Sequence, residues 1–312
     1  MYESLQALDH VRLHFSAENS AVINIALAMM MFGVALDVKP QHFSHLWQQP
    51  RQLVAGVLSQ AVVMPAVTFG LVLLLGQHIT VGVALGMILV AACPGGNISN
   101  FITSLARGNV ALGVSLTAIS TLMAVVVTPF NFTFWGNLYA QSSSLVRPLE
   151  LDWRELFKSV ATILGIPLLL GMLCSIYLPR VASFLLKPFQ VLSLVFFGAL
   201  VVLAFGQNFD IFVRYIGYVF VVVLLQNTLA MLTGYGMGTI FGLSVQSRRT
   251  LSIETGIHNS GLGLALLFNP TVFPVDLPLG GMAIIAGWWS IWHILSGVAV
   301  AFYWRNKTQS NE

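Results

Sequence analysis

One carboxylate stands out. Glu254 opens the polar stretch ETGIHNSG at Glu254–Gly261, inside an apolar run that carries no basic residue beside it. A charged carboxylate deep in a bilayer is costly unless it is compensated. No Lys or Arg lies away from the ends of the apolar runs, so three solutions are open. Glu254 is protonated, pairs with a protonated His258, or binds a cation from solution. The neutral oxygen-bearing side chains Gln60, Ser99, Asn100 and Thr117 favour the cation, because hard cations take oxygen ligands. Unwound backbone at Thr255 and Ile257 would add carbonyls. A plainer alternative is a buried, hydrogen-bonded Glu254 that only ties helices together.

A second polar stretch, CPGGNISN at Cys93–Asn100, suits the opposite charge. Pro94, Gly95 and Gly96 end one half-helix and Asn97 begins the next. The restarted half-helix offers unsatisfied N–H groups and the positive end of its dipole, a site for a carboxylate or sulfonate. Asn97 and Ser99 are also good capping residues, so capping alone is the competing account. His293, in WWSIWHILSG, reads first as a packed core histidine, whereas His258 lies four residues after Glu254 within the break. The Trp288, Trp289 and Trp292 run fits interfacial anchoring and packing.

The elements that must hold these groups are membrane helices. Of 312 residues, 57% are hydrophobic and 8% charged, far from the roughly 25% charged of a soluble domain. With roughly 20 apolar residues needed per crossing, about nine spans are expected, near 19–37, 52–76, 79–106, 109–138, 155–178, 187–206, 211–242, 249–269 and 280–304. The third and eighth are interrupted. Broken spans in corresponding halves of a chain point to a secondary transporter, because free backbone at membrane depth needs protein or a water-filled cavity around it. Gln60 precedes the first break, and Gln226 and Asn227 precede the second, which supports inverted repeats. Gly82, Gly86 and the tract GYGMGTIFG at 234–242 provide small-residue spacings for close helix packing.

Basic residues set the orientation. Lys39, Arg51, Arg107, Arg180, Lys187, Arg248, Arg249, Arg305 and Lys307 fall on one side, against Arg12, Arg147, Arg154, Lys158 and Arg214. The first set is expected in the cytoplasm, with residues 305–312 as a cytoplasmic tail and 1–18 as an extracytoplasmic segment. Leu5, Leu8, Val11 and Phe15 recur at helical spacing and predict a short interfacial helix there, and no signal peptide is expected. Cys93 and Cys174 both lie in apolar runs, so no disulfide framework is expected.

Four motifs in order carry a resemblance: MFGVALDVKP at 31–40, SQAVVMP at 59–65, CPGGNISN followed by LARGNVALGVSLT at 105–117, and IETGIHNSG at 253–261. The chain resembles the bile acid:sodium symporter family over nearly its whole length. The resemblance implies an all-α membrane protein with a core domain built on two crossing, discontinuous helices and a panel domain facing it. The core would comprise about 52–138 and 211–269, with breaks at 93–100 and 254–261, and the remaining helices within 19–304 would form the panel. One sodium site would use Ser99, Asn100, Thr117 and Glu254. The second would use Gln60, Glu254, carbonyls of Thr255 and Ile257, and His258. Substrate would meet Gly95, Gly96, Asn97, Asn259 and His293. Three residues depart from the family pattern: Gly113 for a serine of the first site, His258 for a glutamine of the second, and Ile294 for an asparagine lining the cavity.

The leading expectation is therefore sodium-coupled symport of an organic anion, bile-acid-like or a small carboxylate such as pantoate. A cation–proton antiporter, or a proton-coupled carrier of the same fold, is the second reading; an antiporter would normally place aspartates beside a Lys or Arg within the spans, and none occur. An intramembrane metalloenzyme using Glu254, His258 and His293 is the third, weakened by Gly256 and the absence of an HExxH motif. Expected partners are the anion, Na⁺ and lipid, with no nucleic acid, no cofactor and a monomeric state. N-glycosylation triplets begin only at Asn97 and Asn131, within spans, and at Asn306 on the expected cytoplasmic tail. That pattern fits a bacterial inner membrane.

Overall fold

Apolar runs separated by short polar connections fold into helices packed on helices. The computed structural model describes residues 9, 20–38, 49–142, 153–206, 209–269, 272–273 and 279–309. Regular structure among these is helical, apart from one isolated β-bridge. In chain order the helices are α1 (Ser20–Leu36), α2 (Pro50–Leu58), α3 (Met64–Leu75), α4 (Val81–Ala92), α5 (Ile98–Leu105) and α6 (Val110–Ser142). They continue as α7 (Trp153–Val160), α8 (Ile166–Tyr177), α9 (Pro179–Gly206), α10 (Phe209–Ile240), α11 (Val245–Gly256), α12 (Ser260–Leu267) and α13 (Gly280–Gln309).

Four stretches among the described residues are long and apolar enough to cross a membrane: Pro50–His78, Val110–Ser142, Val213–Ile240 and Gly280–Lys307. The other expected spans correspond to α1, the pair α7 and α8, α9, and the interrupted pairs α4–α5 and α11–α12. Leu5, Leu8, Val11, Phe15, Arg12, Lys39 and Arg147 lie outside the described residues, so the expected interfacial helix does too. Asp9 is described, and its carboxylate accepts from the Thr80 hydroxyl at 2.7 Å and the Gly82 N–H at 3.0 Å, closing the start of α4.

A π-helical turn at Ser59–Val63 joins α2 to α3, and the Met64 N–H reaches back to the Ser59 carbonyl. Such turns add a residue to a helix and re-aim its side chains. Pro65 supplies no N–H, so the Ala61 carbonyl behind it needs another donor. Asn131 of α6 provides it, with Nδ2 2.8 Å from that oxygen. The turn presents Ser59 and Gln60 to the middle of the bundle, where both are buried.

Helices α1, α8 and α9 pack on one another, while α4, α5, α6, α10 and α11 form a second group. Helix α13 was expected among the panel helices, yet it packs on α4, α5, α10 and α12 and so joins the second group. Missing side chains explain the close seam. A Cβ on Gly86 would stand 2.8 Å from the Met282 Cα, and one on Gly281 would stand 2.7 Å from the Val83 nitrogen. Two glycines of 234–242 act likewise: Gly234 lies against the Leu251 carbonyl, and Gly238 against Arg248, whereas Gly236 and Gly242 face open space. Helix α13 also continues through Gln309, beyond the expected end at 304.

Candidate functional site

The site lies where the two interrupted pairs cross. A residue before proline is pushed out of the α region, and Cys93, ahead of Pro94, is extended at φ −76° and ψ 151°, which ends α4. In the second pair, α11 runs to Gly256 and Ile257 is extended, at φ −119° and ψ 95°. The two extended pieces then pair as a short antiparallel bridge between Gly95 and His258. The Gly96 N–H donates to the Ile257 carbonyl at 2.9 Å, and the Asn259 N–H donates to the Pro94 carbonyl at 2.7 Å. Each break thereby satisfies backbone that the other leaves free, as membrane depth requires.

This pairing explains the glycines. A Cβ on Gly95 would stand 2.7 Å from Glu254 Oε2, and one on Gly96 would stand 2.9 Å from the His258 carbonyl oxygen. The breaks are also narrower than 93–100 and 254–261. Glu254, Thr255 and Gly256 remain helical, because the Ile257 N–H still reaches the Ile253 carbonyl. Thr255 is therefore not unwound, contrary to expectation. Its carbonyl nonetheless lacks the usual helical donor, since the Asn259 N–H is committed to Pro94.

Oxygen atoms gather round Glu254, which is 0% exposed. Ser99 Oγ donates to Glu254 Oε1. Thr117 Oγ1 lies 2.9 Å from Oε1 and 3.1 Å from Oε2, and 3.4 Å from Asn100 Oδ1. Ser99, Asn100, Thr117 and Glu254 thus come together from α5, α6 and α11. Gly113 sits at the rim of this cluster. A Cβ there would lie 3.0 Å from Asn100 Oδ1 and 3.7 Å from Glu254 Oε1, so a serine would point its hydroxyl into the group.

The second expected set gathers less completely. Gln60 approaches the Glu254 carboxylate, yet among the described residues its amide nitrogen meets no acceptor in hydrogen-bonding geometry. Ser59, a residue the sequence left unmarked, bonds Thr255 hydroxyl to hydroxyl at 2.7 Å, tying the π turn to α11. The adjacent Ser-Gln pair in an apolar span was the available signal. The Ile257 carbonyl accepts from Gly96. His258 is 1% exposed, has no hydrogen-bond partner on either ring nitrogen among the described residues and packs against Trp289, with centroids 5.6 Å apart.

Of the expected substrate residues, Gly95 and Gly96 are buried in the crossing. Asn97 is exposed and makes no side-chain cap for α5, so capping does not account for it. It lines a cleft of about 270 Å³, open space included, with Val34, Asp37, Asn100 and Thr121. Asn259 caps α12 through Oδ1 and the Leu262 N–H at 3.1 Å. It also borders a cavity of about 240 Å³ shared by α1, α6 and α8. His293 lines neither of these; it is buried edge-on to Trp289. Among the described residues no three His, Cys, Asp or Glu side chains are placed to hold a metal ion, so Glu254, His258 and His293 do not form the triad a metalloenzyme would need.

The profile of the Sodium Bile acid symporter family matches residues 24–215, more than half of the chain. The chain is similar to an uncharacterized sodium-dependent transporter, YocS, of Bacillus subtilis, with 32% identity over 94% of this chain and 86% of that protein. It is similar to a probable chloroplastic sodium/metabolite cotransporter, BASS1, of Arabidopsis thaliana, with 30% identity over 91% of this chain and 66% of that protein. A sodium-dependent organic anion transporter of Mus musculus shares 26% identity over 96% of this chain and 78% of its own length.

Proposed function

Because the chain belongs to the Sodium Bile acid symporter family, we propose that it is an integral membrane carrier that moves an organic anion together with Na⁺ by alternating access. The observation that carries this reading is the lodging of Glu254 between the two breaks, against Ser99, Thr117 and the Gly95 backbone. One cation binds there, held by Ser99, Asn100, Thr117 and Glu254. A second position is framed by Gln60, Glu254, the carbonyls of Thr255 and Ile257, and His258. The Gly113 and His258 departures each remove an oxygen ligand, which points to fewer bound Na⁺ than the family pattern provides.

The anion enters from the side of α1 and α8, where Asn97 and Asn259 face their clefts. There it meets Asn97 and the restarted end of α5, whose dipole favours negative charge. Helices α1, α7, α8 and α9 act as the panel, and the crossing helices with α13 as the core. The cation neutralises Glu254 and stiffens the crossing, and the crossing in turn presents Asn97 to the anion. Nine spans, inverted repeats, a bacterial inner membrane, and an outside N-terminus with a cytoplasmic C-terminus complete the proposal.

A thermal-shift screen of taurocholate, pantoate and 2-keto acids in Na⁺ against K⁺ tests it. At least one anion should raise the melting temperature in Na⁺ by several degrees and in K⁺ by far less. Equal shifts in the two salts would remove sodium coupling, leaving a proton-coupled carrier as the successor.

A further inference from the structure

A buried asparagine connects the α11 break to α13. Asn227 of α10 is 1% exposed. Its Nδ2 donates to the Gly256 carbonyl at 2.7 Å, and its Oδ1 accepts from Ser296 Oγ of α13 at 2.6 Å. Ser296 Oγ also lies 3.1 Å from the carbonyl of His293, one turn back on α13. Gly256 is the last residue of α11, and its peptide lies between the carbonyls of Thr255 and Ile257. The path from the peptide beside the cation site therefore ends on one Ser296 hydroxyl proton, for which Asn227 Oδ1 and the His293 carbonyl compete.

The geometry leaves little slack along this path. A helix-terminal carbonyl without a backbone donor costs free energy when buried, so Gly256 needs Asn227. Met231, one turn further along α10, fills the space where a Gly256 side chain would stand, and Ser252 donates to the Met231 carbonyl at 2.8 Å. Helix α10 thus grips the last turn of α11 at two levels. The neighbouring Gln226 donates to the Met87 carbonyl of α4 at 2.9 Å, reaching the half-helix that leads to the first break. A primary amide donates and accepts at fixed angles, so turning the Gly256 peptide must turn the Asn227 amide and release or tighten Ser296.

We propose that Asn227 and Ser296 are positioning residues that transmit cation binding at the α11 break to α13 at His293. The inference rests on the cation site proposed above. Neither residue touches an ion or the anion. A cation drawing in the carbonyls of Thr255 and Ile257 reorients the Gly256 peptide between them, and the amide carries that change to α13. Coupling of this kind is reciprocal, so whatever fixes α13 at His293 tightens the cation by the same factor.

Hydrogen exchange of the purified full chain, in Na⁺ against K⁺ and without any anion, provides the test. In the wild-type protein Na⁺ should slow exchange about fivefold or more both at the break between α11 and α12 and around His293. Ser296→Ala should keep the response at the break within about twofold of wild type and lose it at His293. Asn227→Ala should lose the His293 response as well, and Ser296→Thr, which keeps the hydroxyl, should restore it. Should Asn227→Ala fail to fold, the two serine variants decide. A His293 response that survives Ser296→Ala overturns the inference, as does a wild-type protein that responds only at the break. No response at either place would instead overturn the cation site itself, and this inference with it.

Discussion

The two interrupted helix pairs meet backbone to backbone, yet they are broken by different causes and sealed to different degrees. The α4–α5 break is set by Pro94 and two glycines, and it ends in an exposed, uncapped Asn97 beside a cleft. The α11–α12 break carries no proline; its last turn is held by Asn227 and its restart is capped by Asn259. Glu254, Thr255, Ile257 and His258 there are all buried. An open break with free polar groups suits a solute that arrives with its own charge. A sealed break with one carboxylate suits a small ion that sheds its water. The proposal accordingly assigns the anion to the first break and the cation to the second.

The largest expected effect breaks the comparison at the sealed side. Glu254→Gln removes the charge and should abolish Na⁺-driven uptake into proteoliposomes while circular dichroism stays unchanged. Sodium dependence that persists would show that the carboxylate is not the cation's partner. Next, the glycines should differ by what they touch. Gly96→Ala drives a Cβ against the His258 backbone, 2.9 Å away, and should cost about 1–3 kcal/mol of stability in thermal or denaturant unfolding. Gly95→Ala meets the Glu254 side chain instead, so its loss should appear mainly as weaker Na⁺ binding. Equal stability losses would mean that both glycines serve only packing.

His258→Gln places an amide oxygen in the second position. Uptake should then rise more steeply with Na⁺ concentration and become dependent on membrane potential. One further cation per monovalent anion moves one more charge, worth about 2.3 kcal/mol per 100 mV. An unchanged potential dependence would leave the second position without an ion. The smallest effect is a gain at the first position. Gly113→Ser adds a hydroxyl beside Asn100 and Glu254; at about 1 kcal/mol for the new contact, half-saturating Na⁺ should fall roughly fivefold. A rise instead would mean that the hydroxyl crowds the ion.

Much of this was legible in the residues alone. Pro94 is followed by two glycines, so the first break was placed to within a few residues, whereas Pro129 and Pro188 lie inside continuous helices. The second was drawn too wide, because ETG contains no residue that forces unwinding and the chain stays helical through Gly256. Thr255 was expected on extended backbone for that reason. The packing of α13 on α4 was not legible because its apolar sequence has no face that distinguishes one neighbour from another; Gly82, Gly86 and Gly281 matter only when they meet. Ser59 went unmarked because a serine in an apolar span bonds equally well to its own helix or to another.

The sequence by itself determined the membrane class, the rough place of the two breaks and the carboxylate between them, since hydropathy, charge and the Pro-Gly-Gly run are local properties of the chain. Only the tertiary structure decided that the Gly96 amide would meet the Ile257 carbonyl, that Asn259 would meet Pro94, and that Asn227 would span from Gly256 to Ser296. Ser99 and Glu254 touch although 155 residues separate them. Contacts of that kind depend on how whole helices pack, and the chain records the atoms available for them but not which ones will meet.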